Sequence, residues 1–261
     1  MIRIARSTEP AALADERTKR LVAARLARSN GAALDLRGYA VAKEDLFDMQ
    51  HRKCCYCEKL EETRYYRPVE HYRPKAQYCW LAWTWENLLF ICWDCNSGAK
   101  AAQFPLASGS ISLLAEAQPP GSEAPLLLDP TAPTPDPSDA IRFSQAVAHA
   151  AGASNARWMP LPRAGPLHAL GEETIRVCGL DRPSLLDLYE EYVEHTVAPK
   201  IESFARAVSD ATDVEAAFAK LLRGLLSKSR PFVGLSYDVL SIRLNPSMLA
   251  AHQLTLPRPP L

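Results

Sequence analysis

The chain has 261 residues, and its 30 basic side chains balance its 30 acidic ones, so the formal net charge is near zero. Apolar residues make up 48% of the chain, which excludes a disordered protein and allows a substantial buried core. The neutral balance argues against binding of nucleic acid over the whole surface, so any such contact needs a local patch or a charged partner.

The sequence indicates neither a membrane protein nor a disulfide-rich one. It has no run of about 18 apolar residues, so we expect no membrane span. The first ten residues lack the apolar segment of a secretory signal, so we expect a cytoplasmic protein. Seven cysteines in such a chain argue against a disulfide framework. We expect Cys55, Cys79 and Cys178 to be small buried apolar groups.

The predicted elements are mostly helices. Helical periodicity covers residues 9–29 and 41–51. Seven prolines fall within residues 117–137 and indicate loops. The apolar run Leu126–Leu128 lies within this region, and the apolar run Ile141–Phe143 follows it. The two runs are predicted to pair as a small hairpin.

The C-terminal third is again predicted to be helical. One helix is expected to end at Gly179, a favoured C-terminal cap, and the next to be interrupted at Pro199, because proline removes a helix hydrogen bond. Thr212 and Glu215 match a capping box at the start of a further helix. A last helix is expected near residues 236–244, and the tail after it is expected to be flexible.

These elements predict a mainly α chain in four parts. The parts are an N-terminal helical segment over residues 1–50 and a cysteine-containing core over residues 51–116. A proline-rich region of loops and a hairpin follows over residues 117–166, and a C-terminal helical region covers residues 167–261. The small β elements are thus expected inside the core and between it and the C-terminal helices.

Two Cys-x-x-Cys pairs bracket the core. Cys54 pairs with Cys57, Cys92 pairs with Cys95, and 34 residues separate the two pairs. Thiolates are soft ligands that suit zinc, and four of them complete a tetrahedral structural site. We therefore predict a structural Zn²⁺ that clamps the ends of the interval between the pairs. Four reduced thiols without a metal, or a redox dithiol, are the alternatives.

A histidine and two cations lie inside this interval. Val69–Tyr72 is predicted to be a short strand, and alternate residues of a strand share a face. His71, Arg73 and Lys75 would then point the same way. One imidazole and two cations on one face suit a phosphodiester, because the imidazole can activate water and the cations can hold phosphate. Ordinary solvated charges are the alternative for the two cations.

A second strand and a helix are predicted to complete the interval. The strand covers Leu88–Cys92 and follows Asn87, and the helix opens at Asn96. Lys100 lies four residues after Asn96, so both share a helix face, and Lys100 is a third candidate for phosphate contact. The order is strand, loop, strand, helix. A plain loop cap and a plain helix cap are the alternatives for the two asparagines.

This arrangement resembles the HNH (ββα-metal) nuclease family. The resemblance implies that His71 is the general base that acts on water and that Asn87 braces the loop between the strands. It also implies that Glu70 and Asn96 bind one divalent metal. Many members have Asp where this chain has Glu70, and His where it has Asn96. A carboxamide oxygen suits a hard cation better than imidazole does, so Mg²⁺ or Mn²⁺ is expected at the catalytic site.

Two points about this site stay open in the sequence. Glu70 and His71 are neighbours, which a regular strand points to opposite faces, so both can serve one site only where the strand ends or bulges. An ion pair with an arginine such as Arg67 is the alternative role for Glu70. Stacking on bases and packing in the core are both possible for three tryptophans: Trp80, Trp83 and Trp85.

A closer resemblance is to the HNH component of Septu-type anti-phage systems, through the motifs CxYCE, EHYRPK, WxNL and CxxCN with a following lysine. It implies a DNA endonuclease that works with an ATPase partner of the PtuA kind in a hetero-oligomeric complex. The chain has no phosphate-binding G-x-x-x-x-G-K-[ST] loop of its own, which fits nucleotide handling by a partner. The C-terminal helices, which carry no recognisable chemistry, are predicted to dock that partner.

Two other functions remain open at this point. The first is a non-catalytic zinc module that binds nucleic acid or protein, which would have no use for the Glu-His and asparagine residues. The second is an HNH nuclease that acts on RNA or works alone as a restriction enzyme.

Overall fold

The computed structural model describes residues 1–65, 68–147 and 156–259. Helices dominate these residues, and a few small strands lie between them. The predicted class, mainly α with small β elements, is therefore confirmed. None of the helices in the described ranges is long and apolar enough to cross a membrane.

Two helices form the N-terminal part. Helix α1 covers Ala11–Ser29, and helix α2 covers Lys43–Met49 after a 3-10 turn at Tyr39–Ala42. Both helices begin and end within two residues of their predicted bounds. Leu13 of α1 and Leu46 of α2 are fully buried in a hydrophobic core that they share with the strands described next.

A small antiparallel β-sheet lies at the centre of the cysteine-containing region. Its strands are β1 (Val69–His71) and β2 (Leu88–Phe90), and all their residues are buried. The one-turn helix α3 (Trp93–Cys95) follows, and it continues into a π-helical turn at Asn96–Lys100. The predicted order of strand, loop, strand and helix is observed, although both strands are shorter than predicted and the helix begins at Trp93, three residues before its predicted start at Asn96.

A second two-stranded antiparallel sheet lies, in chain order, between the cysteine-containing core and the C-terminal helices. Helix α4 (Pro137–Ala140) leads into β3 (Ile141–Val147), which pairs with β4 (Ala156–Pro162) in antiparallel register. The predicted pairing of Leu126–Leu128 with the start of β3 is wrong. This apolar run instead enters the core as irregular chain, where the backbone N–H of Leu128 donates to Thr174 Oγ1 at 2.9 Å.

The C-terminal helices are α5 (His168–Cys178), α6 (Pro183–Tyr192), α7 (Ala198–Ser209), α8 (Val214–Leu225), α9 (Val233–Arg243) and α10 (Pro246–Ala251). Gly179 ends α5 in the left-handed conformation with φ 55°, as predicted. A π-helical segment, Val193–Val197, joins α6 to α7, and Pro199 lies in the first turn of α7. The predicted interruption at Pro199 is thus a local widening of the helix.

Two helix starts differ from the predictions. Asp213 caps α8 by accepting from the Ala216 N–H at 3.0 Å, whereas Thr212 donates to a carbonyl of the preceding helix. The predicted capping box of Thr212 and Glu215 is therefore wrong: Asp213 is the cap, and the third helical residue is Ala216, which has no polar side chain to return the bond. Helix α10, which the sequence did not indicate, begins where Asn245 accepts from the Ser247 N–H at 2.8 Å.

One hydrophobic core joins the cysteine region to the C-terminal helices. It contains Cys54, Cys57, Cys92 and Cys95 together with side chains of β3, β4 and helices α5 to α9. The C-terminal helices therefore stabilise the frame around the cysteines directly. The division of the chain into four parts stays a prediction.

Candidate metal and catalytic site

Four buried cysteines converge on one point. The sulfur atoms of Cys54, Cys57, Cys92 and Cys95 all lie within 4.8 Å of one another. The Cys57 and Cys92 sulfurs are 3.8 Å apart, close to the separation of about 3.8 Å that a tetrahedron with Zn–S bonds of about 2.3 Å requires. The four-cysteine cluster therefore fits a structural zinc ion in donor type, number and spacing.

Each pair of cysteines sits on a tight turn that the sheet holds in place. The Glu58 N–H donates to the Cys54 carbonyl at 3.1 Å, and the Cys55 N–H donates to the carbonyl of Phe90 in β2 at 3.1 Å. In the second turn, the Asn96 N–H donates to the Cys92 carbonyl at 3.2 Å. The first turn is thus tied to β2 and the second follows β2 in the chain, so the sheet brings the two turns side by side.

Arg182 contacts the cluster from the C-terminal helices. Its Nη1 donates to Cys95 Sγ at 3.5 Å and to the Gly179 carbonyl at 2.8 Å. Burial alone would lower the pKa of this guanidinium. The charges of Cys95 and Cys57 raise the pKa by a larger amount, so it lies above its ordinary value. A cation against a tetrathiolate offsets part of its negative charge. The sequence did not indicate Arg182, because 87 residues separate it from Cys95.

His71 is held as a neutral imidazole whose Nδ1 is the acceptor nitrogen. Its Nε2 lies 3.0 Å from the Ala82 carbonyl oxygen, which can only accept, so Nε2 carries the proton and Nδ1 keeps a lone pair. Burial lowers the pKa of His71 to about 4, although the Ala82 carbonyl acts in the opposite direction. The ring of Tyr39 packs edge-on against the imidazole, with centroids 4.4 Å apart. His71 is therefore oriented to accept a proton at Nδ1.

Glu70 and Asn96 meet in a second cluster. Asn96 Nδ2 donates to Glu70 Oε2 at 2.7 Å, and the Lys100 ammonium pairs with Glu70 Oε1. Lys100 Nζ also donates to the His71 carbonyl at 3.3 Å, so the cluster adjoins His71 through the backbone. The structure thus brings the two predicted metal ligands into direct contact, and it gives Glu70 a lysine partner. The alternative partner, Arg67, lies outside the described residues.

Burial changes the protonation of this carboxyl group. It raises the pKa of Glu70 to about 7, although the charge of Lys100 acts in the opposite direction. Glu70 is only 3% exposed, and Lys100 is fully buried. The carboxylate that a hard cation needs is therefore only partly formed at neutral pH without the cation.

Asn87 has the contacts expected of a brace. Its Oδ1 accepts from the Arg73 N–H at 2.8 Å, and its Nδ2 donates to the carbonyls of Arg73 and Leu81 at 3.0 and 3.2 Å. These bonds tie both ends of the loop between β1 and β2 to one buried side chain. The position of the Ala82 carbonyl, which orients His71, depends on the same loop.

The three predicted phosphate contacts have different surroundings. Arg73 is 8% exposed and pairs with Glu123, and Lys100 pairs with Glu70, so in this structure both cations have internal partners. Lys75 is only half-buried, and its Nζ donates to the Tyr39 hydroxyl at 2.7 Å. That Arg73, Lys75 and Lys100 bind phosphate stays a prediction, and Lys75 has the most accessible charge.

The three tryptophans between β1 and β2, namely Trp80, Trp83 and Trp85, and the other cysteines are structural. Each indole N–H donates to a backbone carbonyl, at 2.8 Å for Trp80 and Trp83 and at 2.9 Å for Trp85, and all three rings are buried. The interpretation as core packing is confirmed over base stacking. The expected burial of the remaining cysteines is confirmed for Cys55, Cys79 and Cys178.

Tyr39 is a site residue that sequence reasoning missed. It packs on His71 and accepts from Lys75, and its ring lies 4.2 Å below the Lys75 ammonium. It therefore lies between the imidazole and the half-buried ammonium of Lys75. Its sequence position, 32 residues before His71 in the N-terminal part, carried no signal of this role.

Comparison with known proteins gives a partial match. No protein-family model matches the chain. It is 35% identical over 114 residues to Septu protein PtuB of Bacillus mycoides, which covers 39% of this chain and 38% of the relative. It is 37% identical over 97 residues to Septu protein PtuB of Bacillus thuringiensis, which covers 37% and 36%, respectively. The chain therefore spans less than two fifths of the length of these curated relatives. Within that span the resemblance to the Septu component, predicted from the motifs, is confirmed.

Proposed function

We propose that the chain is a metal-dependent endonuclease of the HNH (ββα-metal) type that hydrolyses DNA phosphodiester bonds. The observation that supports this best is the state of His71: a neutral imidazole, oriented through Nε2, with Nδ1 free to accept a proton. A zinc module that only binds nucleic acid or protein has no need of such a base beside a carboxylate and an amide. The order of strand, loop, strand and helix around these residues adds support.

In this proposal His71 takes the proton of the attacking water at Nδ1. The Ala82 carbonyl keeps the Nε2 proton in place and so fixes the tautomer and the ring orientation. The low pKa of free His71 makes it a weak base, but the negative charge of a nearby phosphate raises that pKa and strengthens the base. Lys75, held above Tyr39, is the cation best exposed to hold that phosphate.

Glu70 and Asn96 would hold one Mg²⁺ or Mn²⁺. They touch each other, and carboxylate and carboxamide oxygens are the donors that hard cations take. For both to act as ligands, the Asn96 amide turns to present Oδ1 and the Lys100 ammonium leaves Glu70 Oε1. When bound, the ion supplies Lewis-acid polarisation of the phosphate.

We further propose that this nuclease is the effector of an anti-phage defence system and works with an ATPase partner of the PtuA kind. The support is the name shared by the two relatives, Septu protein PtuB. The C-terminal helices are our candidate for the docking surface. Because they share a core with the cysteines, truncation would unfold the frame, so substitution of exposed Ile242 by Glu is the better test. Val22→Glu on α1 is the control, and unchanged co-purification of the Ile242→Glu variant with the ATPase removes α9 from the interface.

The central experiment measures cleavage of plasmid DNA in Mg²⁺ or Mn²⁺, with and without the ATPase. The substitution His71→Ala is expected to lower the cleavage rate by about 10² to 10⁴-fold, with zinc content and fold intact. His168→Ala, at an exposed histidine of α5, is the matched control and should cleave like the wild type. Full activity of the His71→Ala protein removes His71 from the role of base.

The same assay separates the alternatives. Binding of DNA without cleavage, under every metal and partner condition, identifies a non-catalytic zinc module. Preferred cleavage of RNA identifies a ribonuclease, and cleavage of DNA without the ATPase identifies an enzyme that works alone.

A further inference from the structure

The surface formed by α8 and the turn after it is basic. Residues 216–237 contain four basic side chains and no acidic one, in a chain whose basic and acidic residues balance. All four basic side chains are exposed: Lys220, Arg223, Lys228 and Arg230. This segment is therefore a local excess of positive charge in a neutral protein, which is the kind of patch that contact with nucleic acid requires here.

A fifth cation joins this surface from α7. The stem of Lys200 lies across α8 at Gly224, since a Cβ placed on that glycine would be 3.5 Å from Lys200 Cδ and 3.7 Å from its Nζ. Lys200 and Lys220 line one groove between the two helices, and Arg223 lies three residues after Lys220, on the same face of α8. We define the basic surface as these three cations together with the two in the turn after α8: Lys200, Lys220, Arg223, Lys228 and Arg230.

The basic surface is not neutralised from within. In the part of the chain that the structure describes, no carboxylate lies within 4.0 Å of any of its five cations. Helix α1 also carries several arginines, but Arg17, Arg20 and Arg25 each pair with a glutamate. Ion pairs thus offset the charge of α1 and leave the basic surface available to an external anion.

The composition of the basic surface favours a phosphate backbone over a protein partner. Between residues 189 and 241, no large hydrophobic side chain of the described residues is exposed, and the nearest along the chain are Leu188 and Ile242. Protein interfaces are centred on aromatic or aliphatic anchors and are depleted in lysine, which supplies three of the five cations here. Contacts to DNA phosphates depend on the charge of lysine and arginine and need no apolar centre.

The basic surface leads towards the cysteine region through Lys228. Lys228 and His51 line one cavity. Burial lowers the pKa of His51, and the charge of Lys228 lowers it further, as expected of close neighbours. His51 and Arg52 form a turn of two left-handed residues shortly before Cys54, and Arg52 is exposed. A strand of nucleic acid on the basic surface therefore lies close to the turn that precedes the first cysteine pair.

We propose that the basic surface binds the phosphate backbone of duplex DNA, outside the residues around His71. Such contacts carry no sequence information, so they supply affinity and hold the duplex in place. The choice of DNA as the anion rests on the proposed function, but binding can be measured without cleavage.

The test follows the fluorescence anisotropy of a short labelled DNA duplex with zinc-loaded full-length protein and no Mg²⁺, alone and with the ATPase. Each phosphate contact contributes about 0.9 to the slope of log affinity against log salt concentration. The double variant Lys220→Gln with Arg223→Gln is therefore expected to lower that slope by about 1.8 and to weaken binding at least tenfold at about 0.1 M KCl. Lys228→Gln, which removes one contact, is expected to lower the slope by about 0.9.

The matched control is Lys19→Gln with Arg142→Gln. It removes the same two charges at exposed positions of α1 and β3, and it should leave binding within about twofold of the wild type. All substituted positions are exposed, and equal midpoints of urea unfolding show that each variant keeps its fold.

The proposal is overturned if the wild type binds no duplex, alone or with the ATPase, or if the double variant binds like the control. Loss of co-purification with the ATPase, with DNA binding unchanged, identifies an acidic protein as the partner and also overturns it. Failure of the proposed function is distinct. A wild type that binds DNA through the basic surface but never cleaves it removes the nuclease activity and leaves this inference in place.

Discussion

Replacing Lys100 by Met is expected to destabilise the protein in a way that depends on pH. Lys100 is fully buried, and its ammonium pairs with Glu70, which is 3% exposed. Removing one partner of a buried ion pair typically costs about 3 to 5 kcal/mol, because the other charge is left uncompensated. We expect a loss of this size in the free energy of unfolding at pH 8.5, measured by urea denaturation in saturating zinc.

The sign of the pH dependence follows from Glu70. Its pKa is about 7 in the folded protein, above the ordinary value of 4.5, so the folded state binds more protons between these two pH values. The carboxyl group therefore costs stability as pH rises through this window, by about 3 kcal/mol in total at 1.36 kcal/mol per pKa unit. The charge of Lys100 lowers the pKa of Glu70, so loss of Lys100 raises that pKa and moves the upper limit of this pH window higher. At pH 5.5 the carboxyl group is protonated and the penalty should be much smaller.

The double variant Glu70→Met with Lys100→Met completes the test. Without either charge, the pair is replaced by apolar groups of similar length, and the cost should fall well below the sum of the two single substitutions. Lys19→Met, at an exposed site of α1, is the control. Equal losses at pH 5.5 and 8.5, or additive losses in the double variant, would refute the reasoning.

Three further predictions concern the same region. Removal of zinc by a chelator should abolish cooperative unfolding followed by tryptophan fluorescence, because structural zinc contributes on the order of 10 kcal/mol to small domains; a chelated protein that still unfolds cooperatively contradicts the zinc site. Asn87→Ala removes three hydrogen bonds and should cost about 3 kcal/mol at roughly 1 kcal/mol each, against little change for the exposed Asn30→Ala in the same urea assay. The cleavage rate at low Mg²⁺ should rise with pH through about 7 as Glu70 ionises, and a rate that is flat from pH 6 to 8 argues against Glu70 as a metal ligand.

The parts that could be predicted from the sequence are those that depend on short-range spacing. Two residues between cysteines define a turn, so each cysteine pair follows from local pattern, and the repeat of that pattern predicts the four-cysteine cluster. The order of strand, loop, strand and helix also follows from short apolar runs, and Asn87 directly precedes the second strand as expected. Gly179 ends α5 because glycine readily adopts the left-handed conformation found there.

The contacts that could not be predicted join distant parts of the chain. Arg73 pairs with Glu123 across 50 residues, and Arg182 reaches Cys95 across 87 residues, and no local pattern encodes either approach. Lys100 was predicted from its helical spacing to face phosphate. The helix widens into a π turn there, and in this structure the ammonium is buried against Glu70, while its contact with phosphate stays a prediction. Burial, rather than residue type, decides whether such a cation is available to a ligand.

The bonds of Glu58 also have a consequence for synthesis of the chain. Glu58 directly follows the first cysteine pair, yet it accepts from the N–H groups of Val233 and Gly234, about 175 residues later. At roughly 5 to 20 residues per second, the ribosome needs about 9 to 35 s to add those residues. During that interval the cysteine turns exist without the helices that bury them. Loading of the metal is therefore expected to precede closure of the core by α9.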